Sequence, residues 1–346
     1  MATKPILAIT MGDPTGIGAE IAARALTNRD FYEQAQVFVI GDRGAMEDAL
    51  RMCKLDDFQL NCFQDLAEAK FTYGTIDVLD LNNLDMDKLV YGKVSPMGGK
   101  AAFEYIERGI KMALDGQVDG VVTGPIHKEA LNAAGYRYSG HTEIFAEMTN
   151  TKDYSMMLAH KDFRIAHVTT HVSLRRACDL VTKERVGVVI RLAHNAMLSL
   201  GIENPKIGVA GLNPHSGEGG LFGDEEINHI TPAIEEARAE GIDVDGPVPP
   251  DTLFAKARSG QYDIAVAMYH DQGHIPMKTA GFVLDLKTNT YSSVSGVNIT
   301  LGLPIIRTSV DHGTAFGKAG QGRANAESME EAIEYGIRFA QGRKRV

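Results

Sequence analysis

The sequence predicts an α/β protein built on a parallel sheet, and three observations carry that reading. Short β-branched runs alternate with helical patterns along most of the chain, the βαβ rhythm of parallel strands joined by crossover helices. Glycines number 36 against 12 prolines, as expected where many strands turn tightly into helices. The 346 residues suffice for two α/β lobes around a cleft, or for one large barrel, with a sizeable core either way.

The expected strands begin with Ile6–Thr10, Val37–Gly41, Ile76–Leu81 and Gly120–Thr123, with a helix over Ala101–Leu114. They continue with Tyr154–His160, Arg164–His171, Lys206–Leu212 and Asp263–Tyr269, between which helices are expected at Lys183–Leu200 and Glu225–Glu240. A last helix spans about Glu327–Gln341. Val283–Ser295 breaks the rhythm: two short strands flank a polar Lys287-Thr288-Asn289 turn, which predicts a β-hairpin insertion. No Pro/Gly/Ser-rich linker and no internal repeat divides the chain, so two lobes must share strands or be joined by short crossovers.

Composition narrows the function classes. Hydrophobic residues make up 44% and charged ones 23%, which suits a soluble globular protein and excludes a disordered one. The 35 basic and 45 acidic residues leave a net charge of −10 with no basic stripe, which argues against nucleic acid; a local basic pocket can still take a small anion. Cys53, Cys62 and Cys178 are odd in number and form no CxxC pair, so neither a disulfide framework nor a zinc knuckle fits, and a reducing, cytoplasmic compartment is expected. The N-terminal apolar run is too short for a signal-peptide core, and no run approaches the roughly 18 apolar residues of a membrane span.

Four histidine-bearing segments follow apolar strands, where open α/β sheets place their ligand crevice. They are Ser139-Gly140-His141-Thr142-Glu143, Thr170-His171-Val172-Ser173, Asn213-Pro214-His215-Ser216-Gly217-Glu218 and Tyr269-His270-Asp271-Gln272-Gly273-His274. One histidine so placed is usually a hydrogen-bonded structural residue; four together point to chemistry. Three neutral imidazoles suit zinc, or a harder divalent ion if Asp251 or Asp271 joins them, although spacing alone does not make them converge. The run Met11-Gly12-Asp13-Pro14-Thr15-Gly16-Ile17-Gly18 opens a helix after the first strand and reads equally as an anion cradle or as a tight turn that needs glycine. It is neither a Walker A loop nor a dinucleotide fingerprint, so no nicotinamide-binding residue is identified. Lys278 and Arg307, with Asn298 between them, could clamp a phosphate, and Lys128 after Thr123-Gly124-Pro125-Ile126-His127 is a similar case; singly, each reads as a solvated charge. On residues alone a dehydrogenase and a metal-dependent hydrolase are equal readings.

These segments, with Pro249-Pro250-Asp251-Thr252, Val297-Asn298-Ile299-Thr300 and Arg307-Thr308-Ser309-Val310-Asp311-His312-Gly313-Thr314-Ala315, resemble the 4-hydroxythreonine-4-phosphate dehydrogenase (PdxA) family over nearly the whole chain. The resemblance implies two α/β/α lobes around a cleft, similar to isocitrate and isopropylmalate dehydrogenases. The expected division is residues 1–135 with 305–346, and residues 136–304 carrying the metal ligands and a dimer interface. It further implies a divalent metal (zinc, magnesium, manganese or cobalt) on His171, His215 and His270, the last from the second subunit of a homodimer, with NAD or NADP as oxidant. Substrate contacts from His141, Thr142, Lys278, Asn298 and Arg307 are implied, with catalytic support from Asp251, Asp271 and Lys278. The expected reaction is oxidation of a hydroxyl on a small phosphorylated four-carbon acid, followed by β-decarboxylation. The His274-Ile275-Pro276-Met277-Lys278 stretch resembles a subgroup acting on D-threonate or D-erythronate 4-phosphate in sugar-acid catabolism. The Val283–Ser295 insertion, lying between Lys278 and Asn298, is expected to reshape the pocket or its entrance.

Overall fold

Continuous apolar runs become strands covered on both faces, as parallel strands must be: every residue of Gly120–Thr123, Ile207–Ala210 and Ile264–Ala267 is buried. The structure is a computed structural model and describes residues 4–286 and 290–343. In chain order its strands are β1 (Ile6–Thr10), β2 (Gln36–Gly41), β3 (Gln59–Phe63), β4 (Thr75–Asp80), β5 (Gly120–Thr123), β6 (Ser155–His160), β7 (Phe163–His167), β8 (Ile207–Ala210), β9 (Val244–Val248), β10 (Ile264–Ala267), β11 (Phe282–Asp285), β12 (Thr290–Val294), β13 (Val297–Leu301) and β14 (Ile306–Val310).

The chain divides into two compact units. The first comprises Met1–Thr151 and Leu303–Gln341 and holds strands in the order β3-β4-β2-β1-β5-β14, all parallel. The helix Pro96–Leu114 shows why the pattern works: Ser95 caps it through Gly98 N, Pro96 fills its first turn, and Ala102, Ile106, Gly109 and Ile110 bury one face at helical spacing. Its start lies before the expected Ala101 because the cap and proline precede the apolar stripe.

The second unit comprises Lys152–Gly302 and Gly342–Val346, with strands in the order β13-β6-β7-β10-β8-β9. Here the expected parallel sheet has one antiparallel strand: β6 runs antiparallel to both β13 and β7, while β7, β10, β8 and β9 are parallel. The division falls at 151/152 and 302/303, not at 135 and 304 as expected. The helix His141–Met148 explains the first shift, because Ile144 and Phe145 bury among Ile106, Ile110, Val121 and Leu131 of the first unit. The helix expected over 225–240 divides into a π-helical turn, Glu226–Ile230, and an α-helix, Thr231–Ala239, with Pro232 near the junction. β11 and β12 pair antiparallel as the expected hairpin, and its Lys287-Thr288-Asn289 turn lies outside the described residues.

Candidate active site

In the second unit β7, β10 and β8 lie side by side and parallel, with Ala267 opposite His167 and Val266 opposite Val209. Their carboxyl ends therefore share one edge, where an open sheet binds ligands. The strands stop earlier than the sequence suggests, at His167, Ala267 and Ala210, so His171, His270 and His215 all stand in the segments that follow. His171 and His270 come together, with ring centroids 5.6 Å apart. His270 opens the helix His270–Gly281, and its Nδ1 lies 2.7 Å from Asp271 Oδ1, which leaves Nε2 as the ring nitrogen not engaged by that carboxylate. Thr170, Val172, Leu174, Ala177 and Tyr269 complete the lining of a cavity of about 300 Å3 around this pair and Asp271.

His215 is set differently. It lies in a left-handed stretch in which His215, Ser216 and Glu218 have φ of 52°, 54° and 44°, a conformation unfavourable by roughly 1–2 kcal/mol for each non-glycine residue. Buried Glu226 pins this stretch: Oε1 accepts from the backbone N–H groups of Leu212 and Asn213, both at 2.7 Å, and Oε2 accepts from Asn213 Nδ2 at 2.9 Å. No three His, Cys, Asp or Glu side chains among the described residues converge as a metal centre requires. One chain thus joins two of the three expected imidazoles and carries the third after β8, the strand next to β10.

Two further histidines extend the pair inward. His274 lies one helical turn beyond His270, and the rings stack with centroids 3.6 Å apart and planes 12° apart; His274 Nδ1 donates to the His270 carbonyl at 3.0 Å. His167 is fully buried, 4.9 Å from the His274 ring, with Nδ1 donating to Met156 O at 3.3 Å. Burial above all, and then the neighbouring His274, push its pKa down to about 3. Gly273 permits this approach, since a Cβ there would overlap the His167 ring. The sequence marked neither role: His167 read as the middle of a strand, and His274 as the end of a histidine-bearing segment and part of a subgroup motif.

Asp251 and Asp271 line a second groove, of about 420 Å3, with Phe163, Phe254 and Tyr269. Lys278 shares a helix face with His270 and His274, and its Nζ lies 4.3 Å from the centre of the Phe282 ring. On β13, Asn298 Nδ2 lies 2.9 Å from Met156 Sδ, while its buried Oδ1 has no hydrogen-bond partner among the described residues.

In the first unit, Arg307 on β14 is buried; its Nη2 donates to Thr123 Oγ1 at 3.0 Å, and its guanidinium lies 5.6 Å from the Phe145 ring centre. Burial lowers its pKa to about 9, against which the Glu143 carboxylate favours the charged form. His141 opens the helix that carries Phe145, with Thr142 next in the same turn. Its Nε2 is buried without a hydrogen-bond partner among the described residues. Burial and then the Arg307 charge hold its pKa well below the usual imidazole range, overriding a hydrogen bond to the Gly124 backbone. A neutral imidazole beside a guanidinium suits an anionic oxygen. The Met11–Gly18 run is buried, and its backbone donors are engaged within the fold: Asp13 N bonds Pro125 O, Gly16 N bonds Asp13 O and Ile17 N bonds Thr314 O. It is a tight turn, and Gly12 at φ 80° packs against the Gly124-Pro125 backbone.

The family model described as pyridoxal phosphate biosynthetic protein PdxA matches residues 33–336. The chain belongs to the PdxA family. It is 49% identical over 341 residues, 98% of this chain and 99% of the relative, to a protein of Oceanobacillus iheyensis provisionally named a D-threonate 4-phosphate dehydrogenase. A protein of Symbiobacterium thermophilum with the same provisional name is 48% identical over 340 residues, 98% of each chain. Among solved structures, a 4-hydroxythreonine-4-phosphate dehydrogenase from Klebsiella pneumoniae superposes with a TM-score of 0.85 at 43% identity, covering 98% of this chain and 99% of that one. A terephthalate 1,2-cis-dihydrodiol dehydrogenase from Burkholderia xenovorans reaches a TM-score of 0.67 at 29% identity over 97% and 98% of the two chains. As a PdxA-family member the chain is a nicotinamide-linked dehydrogenase, which removes the hydrolase reading. Among the described residues no helix is long and apolar enough to cross a membrane.

Proposed function

We propose that this chain oxidises the hydroxyl β to the carboxylate of a four-carbon acid 4-phosphate, passing hydride to NAD or NADP, and then releases the carboxylate as carbon dioxide. The observation that carries the reading is three imidazoles on one edge of the sheet of a dehydrogenase-family chain: His171 after β7, His270 after β10 with its Nδ1 on Asp271, and His215 after β8. The donors suit a divalent cation, zinc, magnesium, manganese or cobalt: the imidazoles of His171 and His270, the latter oriented by a carboxylate, and His215 held on a pinned loop at the same sheet edge. A homodimer in which the partner subunit's His270 joins His171 and His215, as the family resemblance implies, is part of the proposal. Such an ion would supply Lewis acidity toward the substrate's oxygen atoms.

The chain's own residues do the rest. Neutral His141 donates to an anionic oxygen while Arg307 supplies the balancing charge, and Thr142, Lys278 and Asn298 fix the remaining polar groups. Asp271 orients His270; Lys278 takes the hydroxyl proton as hydride leaves and returns one to carbon after carbon dioxide is lost, with Asp251 beside Asp271 along the same groove. 4-Hydroxythreonine 4-phosphate follows from the solved relative at 43% identity. A second reading, D-threonate or D-erythronate 4-phosphate, is favoured by the names of the curated relatives at 46–49% identity and by the His274 motif. The work would be done in the cytoplasm. The test follows reduced-nicotinamide absorbance with metal, NAD or NADP and each of the three phosphorylated acids. Turnover of one or more supports the reaction and the ratio of kcat/KM names the substrate; no turnover of any would refute it.

A further inference from the structure

We infer that His274 is a positioning residue for the His270 imidazole, and that its flat ring, stacked on His270, is what holds the outward-facing nitrogen in place. His270 sits in the first turn of its helix and is about a third exposed, so its side chain would otherwise be free to swing. Two contacts stop it. Asp271 engages Nδ1 at 2.7 Å, which fixes which nitrogen faces outward but not the plane of the ring. His274 supplies the plane: 3.6 Å between centroids and 12° between planes is a face-to-face stack over one whole side of the ring. His274 is itself restrained, by its Nδ1 bond to the His270 carbonyl at 3.0 Å and by buried His167 at 4.9 Å on its inner side. The path from core to ligand atom therefore runs His167, His274, His270. Leucine at 274 would fill the volume without a flat face, whereas phenylalanine would keep the face and lose the nitrogens.

This inference rests on His270 being a metal ligand, and the experiment separates the two claims. Co2+ is titrated into wild-type, His270→Ala, His274→Leu and His274→Phe proteins, full-length and freshly stripped of metal, by calorimetry and by the visible absorption of bound Co2+; thermal melting of the apo forms verifies folding. The expected result is that His270→Ala abolishes tight binding, that His274→Leu weakens it roughly tenfold to a hundredfold, as loss of ligand-orienting partners does, and that His274→Phe recovers most of the loss with the wild-type spectrum. If His270→Ala binds Co2+ like the wild type, the ligand assignment falls and the positioning role with it. If His270→Ala loses binding while His274→Leu keeps it, only the positioning role falls. Equal losses in His274→Leu and His274→Phe would show that the nitrogens act, not the stack, and would also overturn it.

Discussion

The buried imidazole of His167 ties the stability of the second unit to pH. Its folded pKa of about 3 lies below the ordinary 6.5, so between those values the unfolded chain binds a proton that the folded chain does not. Stability is therefore full above pH 6.5 and is lost as the pH falls toward 3. At pH 5 the loss is about 2 kcal/mol, from roughly 1.4 kcal/mol for each pH unit below the unfolded pKa, and it does not depend on the folded value as long as that stays well below 5. His167→Asn is the informative change, because the asparagine amide can replace Nδ1 as donor to Met156 O and does not titrate. The smaller side chain lowers stability equally at both pH values, so the comparison concerns the slope alone. Denaturant unfolding with chelator present, followed by far-UV circular dichroism at pH 7.5 and pH 5, should show the wild type losing about 2 kcal/mol more than the variant. Every other titratable group is common to the two proteins, so the difference in slope reports position 167. Equal losses would refute the claim that His167 is held neutral by burial.

Three further outcomes are expected. Gly273→Ala drives a methyl group into the His167 ring and should cost about 1–3 kcal/mol of stability by overpacking, measured by denaturant unfolding; a neutral effect would show that the helix start can shift. His215→Ala should abolish turnover and bound metal while leaving the melting temperature of the apo protein nearly unchanged, since the side chain is exposed; full turnover with retained metal would remove it from the centre. Mixed His171→Ala and His270→Ala proteins should regain partial activity on subunit exchange, measured by nicotinamide reduction; no recovery despite demonstrated exchange would place each site within one chain.

The α/β class was readable because the strands that matter are buried on both faces and therefore continuously apolar, as in β5, β8 and β10. Strands that departed from that pattern escaped. β9 contains Gly246-Pro247, which a central strand would not tolerate but which its place at the edge of the sheet permits; β13 alternates Asn298 and Thr300 with apolar residues. The unit boundary moved because an amphipathic helix does not declare which core it serves, and Phe145 packs with Ile106 and Val121. At the site, His171, His270 and Asp271 could be picked out by their strand-end positions, and the structure brings them together. Glu226, which anchors the His215 loop from a π turn, had no local signal, since a buried carboxylate accepting backbone N–H bonds looks in sequence like any surface glutamate.

His270, His274 and Lys278 recur at every fourth position of one helix, which places the first and last about 12 Å apart along its axis. Between His274 and Lys278 stands Pro276, which interrupts the helical hydrogen bonding there. The helix is thus a jointed lever, with the histidine end braced against the core by His167 and the lysine end beyond the joint. On the proposed roles, the proline joint separates the metal-binding imidazoles from the substrate-binding lysine, so a substitution on one side of it need not disturb the other.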